Sequence, residues 1–114
     1  MVRGPIDMMI ERAVRCLAEG DRSAIGGLVL RLAREWPNEP ALSVAFALTC
    51  AAANLEEMIK DAASARTAVF AYKLAALLAA DIHAIQAMGQ VPARASDLLH
   101  FWRRVDPYFL NLEG

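Results

Sequence analysis

Residues 42–53 read LSVAFALTCAAA, a run without a single charged side chain. Alanine and leucine have high helix propensity, and the run shows none of the apolar and polar alternation that marks a half-buried strand. A helix that is apolar on nearly every side needs neighbours on more than one side. We therefore predict that this segment is the central helix of the protein and that other helices surround it.

The rest of the chain has the same character. It contains 23 alanines and 14 leucines among 114 residues, and no part of it alternates as a strand does. We predict an all-α fold of about five helices, arranged either as antiparallel helical hairpins or as an irregular helical bundle with a long central hairpin. The length is typical of one domain, so residues 1–114 are interpreted as a single helical domain.

Caps, helix breakers and apolar spacing of three and four residues predict where the helices lie. The predicted segments are Ile6–Glu19, about fourteen residues ending at Trp36, about 40–59, about 63–88, and a short helix that is capped by Ser96, followed by Asp97, and stops at Asp106. Asp21 or Ser23 is expected to cap the second of these helices. Gly26 and Gly27 within it predict a close approach by another element, and Leu30 lies off its buried side and is expected to be exposed.

The C-terminal residues Tyr108, Phe109, Leu110 and Leu112 form an apolar tail. Such a tail is expected to leave solvent, either by packing on its own domain or by packing on a second copy of the chain. These four residues are therefore a candidate interface.

Part of the sequence carries a faint repeat. Asn54 follows Gly20 by 34 residues and Pro37 follows Gly20 by 17, and the motifs GDRSA at 20–24 and LAREWP at 32–37 lie within this spacing. Over about residues 6–60 the pattern resembles tetratricopeptide-repeat helical hairpins. The second unit departs from it, because the expected proline near Ala71 is missing. The resemblance implies stacked antiparallel hairpins that bind a peptide or protein partner.

Composition argues against several classes of partner and location. The formal charge of −1 gives no general attraction to nucleic acid, and Arg94, Arg103 and Arg104 are interpreted as a solvated face of the last helix. The uncharged run from 40 to 55 is shorter than the roughly 20 residues of a membrane span. We therefore expect neither a nucleic-acid partner nor a membrane. Cys16 and Cys50 lie in apolar surroundings without an export signal, which predicts reduced, buried thiols and a cytoplasmic protein.

The motifs that normally carry catalysis are missing from the sequence. It contains no glycine-rich phosphate loop, no Cys-x-x-Cys, no His-Glu-x-x-His and no Gly-x-Ser-x-Gly. His83 is interpreted as a boundary residue, and Asp97 with His100 is too small a set to predict a metal site. We therefore predict no catalytic residues, no cofactor and no metal, and we expect that the protein is not an enzyme.

Asp81 conflicts with the pattern around it, because it falls inside the apolar stripe of the 63–88 helix. A buried carboxylate needs a compensating partner. An arginine is the favoured partner, and the candidates are Arg12, Arg66, Arg94 and Arg103. The alternatives are an exposed helix edge and a ligand pocket beside Asp81.

These observations support two functional hypotheses. The first is a non-catalytic helical protein-interaction module that self-associates, because 57% hydrophobic residues exceed what one small domain easily buries. The second is a small-molecule-binding or sensory helical bundle with its pocket near Asp81. The first predicts a homo-oligomer with a broad apolar contact, whereas the second predicts an enclosed cavity.

Overall fold

The chain folds as an all-α protein, as predicted. The structure is a computed structural model that describes residues 4–112, and the helices in that range are α1 (Pro5–Glu19), α2 (Arg22–Glu35), α3 (Ala41–Met58), α4 (Ala62–Ala87), α5 (Ala95–Arg104) and α6 (Tyr108–Asn111). The observed ends of α1 to α4 lie within one or two residues of the predicted ones. The short helix α6 is an addition to the predicted five.

The helices pack in two layers. α3 lies between α1 and α4 in one layer, while α2, α5 and α6 pack on one side of that layer. The smallest dimension of the molecule, 21 Å, matches two stacked helices of about 10 Å each. One hydrophobic cluster runs between the layers, so the other side of the α1, α3 and α4 layer is left without a second layer among the described residues.

The most enclosed helix is α2 rather than α3. Residues 25–30 of α2 are all buried, and Leu30, which was expected to be exposed, is only 1% exposed. The reason is that α5 and α6 cover the side of α2 that its amphipathic pattern assigned to solvent. In α3, by contrast, Leu42 and Phe46 point to solvent, although this helix has neighbours on more than one side, as predicted.

Local chemistry accounts for most helix ends. Gly20 closes α1 with a positive φ of 74° and donates its N–H to the carbonyl of Leu17, as a C-cap glycine does. Asp61 caps α4 by accepting the Ser64 N–H at 2.7 Å, and this bond lowers the pKa of Asp61. At α5 the capping prediction needs correction: the helix starts at Ala95, because Asp97 reaches back to accept the Arg94 N–H at 2.8 Å.

The apolar tail packs on its own chain, the first of the two predicted alternatives. Phe109 is 1% exposed, and its ring centroid lies 5.1 Å from that of Trp102. Leu110 and Leu112 are half-buried against the same core, whereas Tyr108 stays 41% exposed. Phe109 thus packs in the core of its own chain, and Tyr108 is the most exposed of the four candidate interface residues.

Gly26 provides the close approach that the sequence predicts. A Cβ atom at this position lies only 2.9 Å from the Leu112 carbonyl oxygen, which is too close for a real contact. We expect Gly26→Ala to lower the free energy of unfolding, because displacing the tail outweighs the roughly 1 kcal/mol that alanine gains in a helix interior. Urea denaturation followed by circular dichroism measures this change.

A truncated chain supplies the control for Gly26. In a chain that ends at Asn111 the close contact is gone, so Gly26→Ala should stabilise the protein by about 0.5–1 kcal/mol. A stabilising effect in the 114-residue chain, or the same effect in both chains, contradicts the contact between Gly26 and Leu112.

Both cysteines are free thiols and both are half-buried, so they are less enclosed than predicted. The guanidinium of Arg31 lies 3.7 Å from the Cys16 Sγ and also donates to the Ala24 carbonyl at 2.8 Å. Burial nevertheless raises the pKa of Cys16, because desolvation of the thiolate outweighs the attraction of Arg31. Cys16 is thus a poor nucleophile at neutral pH.

Two helices are long and apolar enough to cross a membrane when judged by length and composition alone. They are α3, with 18 residues, and α4, with 26. The uncharged run from 40 to 55 is shorter than a membrane span. The helices α3 and α4 are longer than this run, and each remains apolar on average although it carries a few charged residues. Core helices of soluble proteins pass the same test, so this property is weak evidence for a membrane.

Candidate functional site

The solvent side of α3 and α4 forms a continuous apolar surface, which we call the outer face. Its residues are Leu42, Phe46, Thr49 and Ala53 on α3, and Ala76, Ala79, Ala80 and His83 on α4, all of them exposed. On each helix these residues recur at steps of one, three or four and so share one side. Leu42 and Phe46 are the prominent side chains, with 66% and 53% of their area exposed.

A hydrogen bond shows that the two exposed sides meet. The Tyr72 hydroxyl on α4 donates to Glu56 Oε1 on α3 at 2.6 Å, and this bond lies at the solvent side of the seam between the helices. Its acceptor raises the pKa of Tyr72 by stabilising the protonated phenol. The outer face is therefore a single surface that crosses from α3 to α4.

The eight residues of the outer face include no aspartate, glutamate, lysine or arginine, and exposed Glu56 and Glu57 follow Ala53 at the next turn of α3. Charged residues make up 22% of the chain, and exposed helix positions are where they normally lie. The face also continues towards α1, because Leu42 and Phe46 line a cleft together with Pro5 and Ile6. An uncharged, mostly apolar surface of this kind is typical of a contact with another macromolecule.

Asp81 has a tryptophan as its partner instead of the predicted arginine. Its Oδ2 accepts the Trp102 Nε1–H at 3.0 Å, and the Trp102 side chain is completely buried. The correction has a simple geometric cause: α5 packs against α4 at this level and brings the indole to the carboxylate. Within residues 4–112 Asp81 forms no salt bridge, and the predicted candidate Arg12 pairs with Glu35 instead.

The surroundings of Asp81 favour its neutral form. Burial of the half-exposed carboxyl group raises the pKa of Asp81, and the nearby charge of Asp106 acts in the same direction. The Trp102 N–H acts in the opposite direction, because it stabilises the carboxylate, but burial dominates. Asp81 is thus a satisfied polar group at the edge of the core.

Five surface clefts in the described part of the chain are lined by residues other than Asp81, and the one nearest to it along α4 is lined by Ile85 and Met88 with residues of α5. No group of three or more His, Cys, Asp or Glu side chains is arranged to hold a metal ion between residues 4 and 112. The described part of the chain therefore brings together no constellation to which we assign catalysis.

Comparison with known proteins adds no relative to this picture. No protein-family model, no curated protein and no solved structure matches the chain. The tetratricopeptide-like spacing stays a prediction. The surface and the buried groups of this chain are therefore the basis for its functional assignment.

Sequence reasoning missed the outer face. Residues 42–53 are apolar on nearly all sides, which predicted neighbours on more than one side but did not indicate that one side of this helix faces solvent. The signal that could have found it was the alanine content of α4: Ala76, Ala79 and Ala80 lie opposite the buried Leu74, Leu78 and Ile82. Small apolar residues on the side away from the core leave a flat surface.

Proposed function

We propose that the protein is a non-catalytic helical interaction module that self-associates, with the outer face as the contact between two copies. The observation that carries the proposal is the outer face, where eight exposed positions on two adjacent helices hold no aspartate, glutamate, lysine or arginine. Exposed apolar area of this kind gains free energy when a partner removes it from water.

The outer face supplies part of the area that a stable dimer needs. α3 has 18 residues and so rises about 27 Å. Two neighbouring helices with axes about 8–10 Å apart form a surface roughly 20 Å wide. The outer face thus offers about 500 Å², against the roughly 800 Å² that each partner of a standard interface buries, so residues around its edge also enter the contact.

The two helices of the outer face are complementary in shape. α3 presents the large side chains Leu42 and Phe46, whereas α4 presents small alanines such as Ala76 and Ala80. A twofold axis along the seam places α3 of one copy on α4 of the other, so large residues meet small ones twice. This self-complementarity favours a second copy as the occupant.

The test is the oligomeric state of purified protein and of one charged variant. We expect sedimentation equilibrium to show a dimer at micromolar concentration. Phe46→Glu should raise the dimer dissociation constant about tenfold or more, because it places a charge inside an apolar contact. Met58→Glu is the matched control, since Met58 is 74% exposed at the end of the same helix but lies off the outer face.

Two results contradict this proposal. One is a monomer throughout the micromolar range, and the other is equal weakening by Phe46→Glu and Met58→Glu. Two other results would assign the outer face to a different partner and so also contradict self-association. One is a protein or peptide that binds the monomeric chain through Phe46, and the other is binding of that face to neutral lipid vesicles.

The alternative function, a ligand-binding or sensory bundle centred on Asp81, has less support. The carboxylate already accepts a hydrogen bond from Trp102, and the described clefts are lined by other residues. For location we keep the cytoplasm as the proposal, and the two free cysteines support it, because thiols persist in reducing compartments.

A further inference from the structure

A basic cleft lies where the start of α2 meets the first half of α4. It has a volume of about 340 Å³ and is lined by Arg22, Ala65, Arg66, Val69, Phe70 and Lys73. Three of these six residues are cations and none is a carboxylate. A chain with a net charge of −1 thus concentrates positive charge at one place on its surface.

One of the three cations is held in position by an aromatic ring. The Arg22 guanidinium carbon lies 3.7 Å from the centroid of the Phe70 ring, in a cation–π contact. Phe70 is half-buried and packs against the core, so it is a fixed platform. Stacking occupies the flat side of the guanidinium and leaves its N–H groups at the edge free to donate.

Salt bridges do not occupy these cations. Between residues 4 and 112, Arg22, Arg66 and Lys73 form no salt bridge to a carboxylate. The Ser64 N–H lowers the pKa of Asp61 most, and the charge of Arg66 also lowers it, so Asp61 compensates that one cation in part. The cleft beside α1 is different, because its arginines there are paired: Arg12 bonds Glu35, and Arg15 bonds Glu11 at 2.5 Å.

We propose that this cleft binds a small molecule bearing a dianionic phosphate monoester. Guanidinium and ammonium groups are the donors that proteins use to bind a phosphate group, and this cleft is lined by two of the first and one of the second. The volume lies at the small end of the roughly 300–1,000 Å³ that ligand sites have, which suits a phosphate with a short organic substituent lying on Val69. Free phosphorylated metabolites and phosphomonoester lipid headgroups share this chemistry. The site is separate from the outer face and operates in a monomer or a dimer.

The test is a titration of isotopically labelled protein with glycerol 3-phosphate, followed through backbone amide shifts. We expect saturable shifts centred on α2 residue Arg22 and α4 residues Arg66 and Lys73. Arg66→Gln and Lys73→Gln should each weaken binding about tenfold, because each removes a charge-assisted contact. Arg66→Lys should retain part of the affinity. Arg104→Gln, which removes an exposed cation on α5, is the matched control and should leave binding unchanged.

A second arm separates the two sources of phosphate. Sedimentation with phosphatidylcholine vesicles that contain phosphatidic acid, reversed by glycerol 3-phosphate and lost in Lys73→Gln, assigns the site to a headgroup. Binding of glycerol 3-phosphate without vesicle sedimentation assigns it to a soluble ligand. The proposal is overturned by shifts that do not saturate by about 10 mM ligand, or by equal weakening in Arg104→Gln and Lys73→Gln.

Discussion

Trp102→Ala is expected to lower the free energy of unfolding by about 3–5 kcal/mol, the usual cost of truncating a large aromatic side chain in a core. Trp102 is fully buried, and the indole contacts both Phe109 and Asp81. Its removal leaves a cavity between α4, α5 and α6 and takes away the donor that satisfies Asp81. Since small domains have about 5–15 kcal/mol of stability, this is a large fraction of the total.

Urea denaturation at one fixed protein concentration measures the loss, because self-association adds a concentration-dependent contribution to apparent stability. Trp102→Phe is the matched variant, which keeps most of the volume and loses the N–H, so we expect a smaller cost of about 1–2 kcal/mol. Trp36→Ala is the second control, since Trp36 is only half-buried. A cost for Trp102→Ala no greater than for Trp36→Ala contradicts the position of Trp102 in the core.

The sequence predicted the helices well because their ends depend on local chemistry. Gly20 and Asp61 act within one turn of their own helices, so a cap or a breaker can be identified without knowing the fold. α5 shows the limit of such reasoning. Ser96 followed by Asp97 predicted a cap at that point, yet the Asp97 carboxylate caps from inside the helix, three residues after Arg94.

Burial was predicted less well because it depends on which elements pack together. Leu30 lies off the amphipathic stripe of α2 and is nevertheless buried, since α5 and α6 cover that side. Phe46 shows the reverse, an apolar residue in an apolar segment that faces solvent. Helical periodicity indicates which residues share a side of a helix, but it does not indicate how many neighbours that helix has.

The two candidate sites, Asp81 and the basic cleft, also differ in how much of each the sequence predicted. Asp81 was identified from its position in an apolar stripe, and its need for a partner followed from electrostatics. The partner itself, Trp102, lies 21 residues away on another helix. The sequence analysis considered charged arginine partners and did not consider a neutral N–H donor. The basic cleft joins Arg22 on α2 to Lys73 on α4, a pairing that only the tertiary structure reveals.

Asp81→Ala is expected to lower the free energy of unfolding by about 1–3 kcal/mol, because it leaves the buried Trp102 N–H without its acceptor. Asp81→Asn should cost less, since the amide oxygen still accepts that bond. In a Trp102→Phe background the donor is already gone, so Asp81→Ala should then have little effect or stabilise the protein slightly. This double-mutant cycle in urea isolates the Asp81–Trp102 coupling. Additive losses contradict the hydrogen bond.

The raised pKa of Asp81 makes a separate prediction about pH. The folded state holds this proton to a higher pH than the unfolded state, whose carboxyl has a pKa near 3.8. The contribution of Asp81 to stability is therefore complete in acid below that value and falls as pH rises to the folded-state pKa.

The amide of the Asp81→Asn variant does not titrate. This variant should therefore gain stability relative to wild type as pH rises over the same window, and the difference between the two proteins should be constant above it. Urea midpoints for both proteins between about pH 3 and pH 7 measure this difference. A difference that moves in the opposite direction shows that the Trp102 hydrogen bond to the carboxylate outweighs the effect of burial.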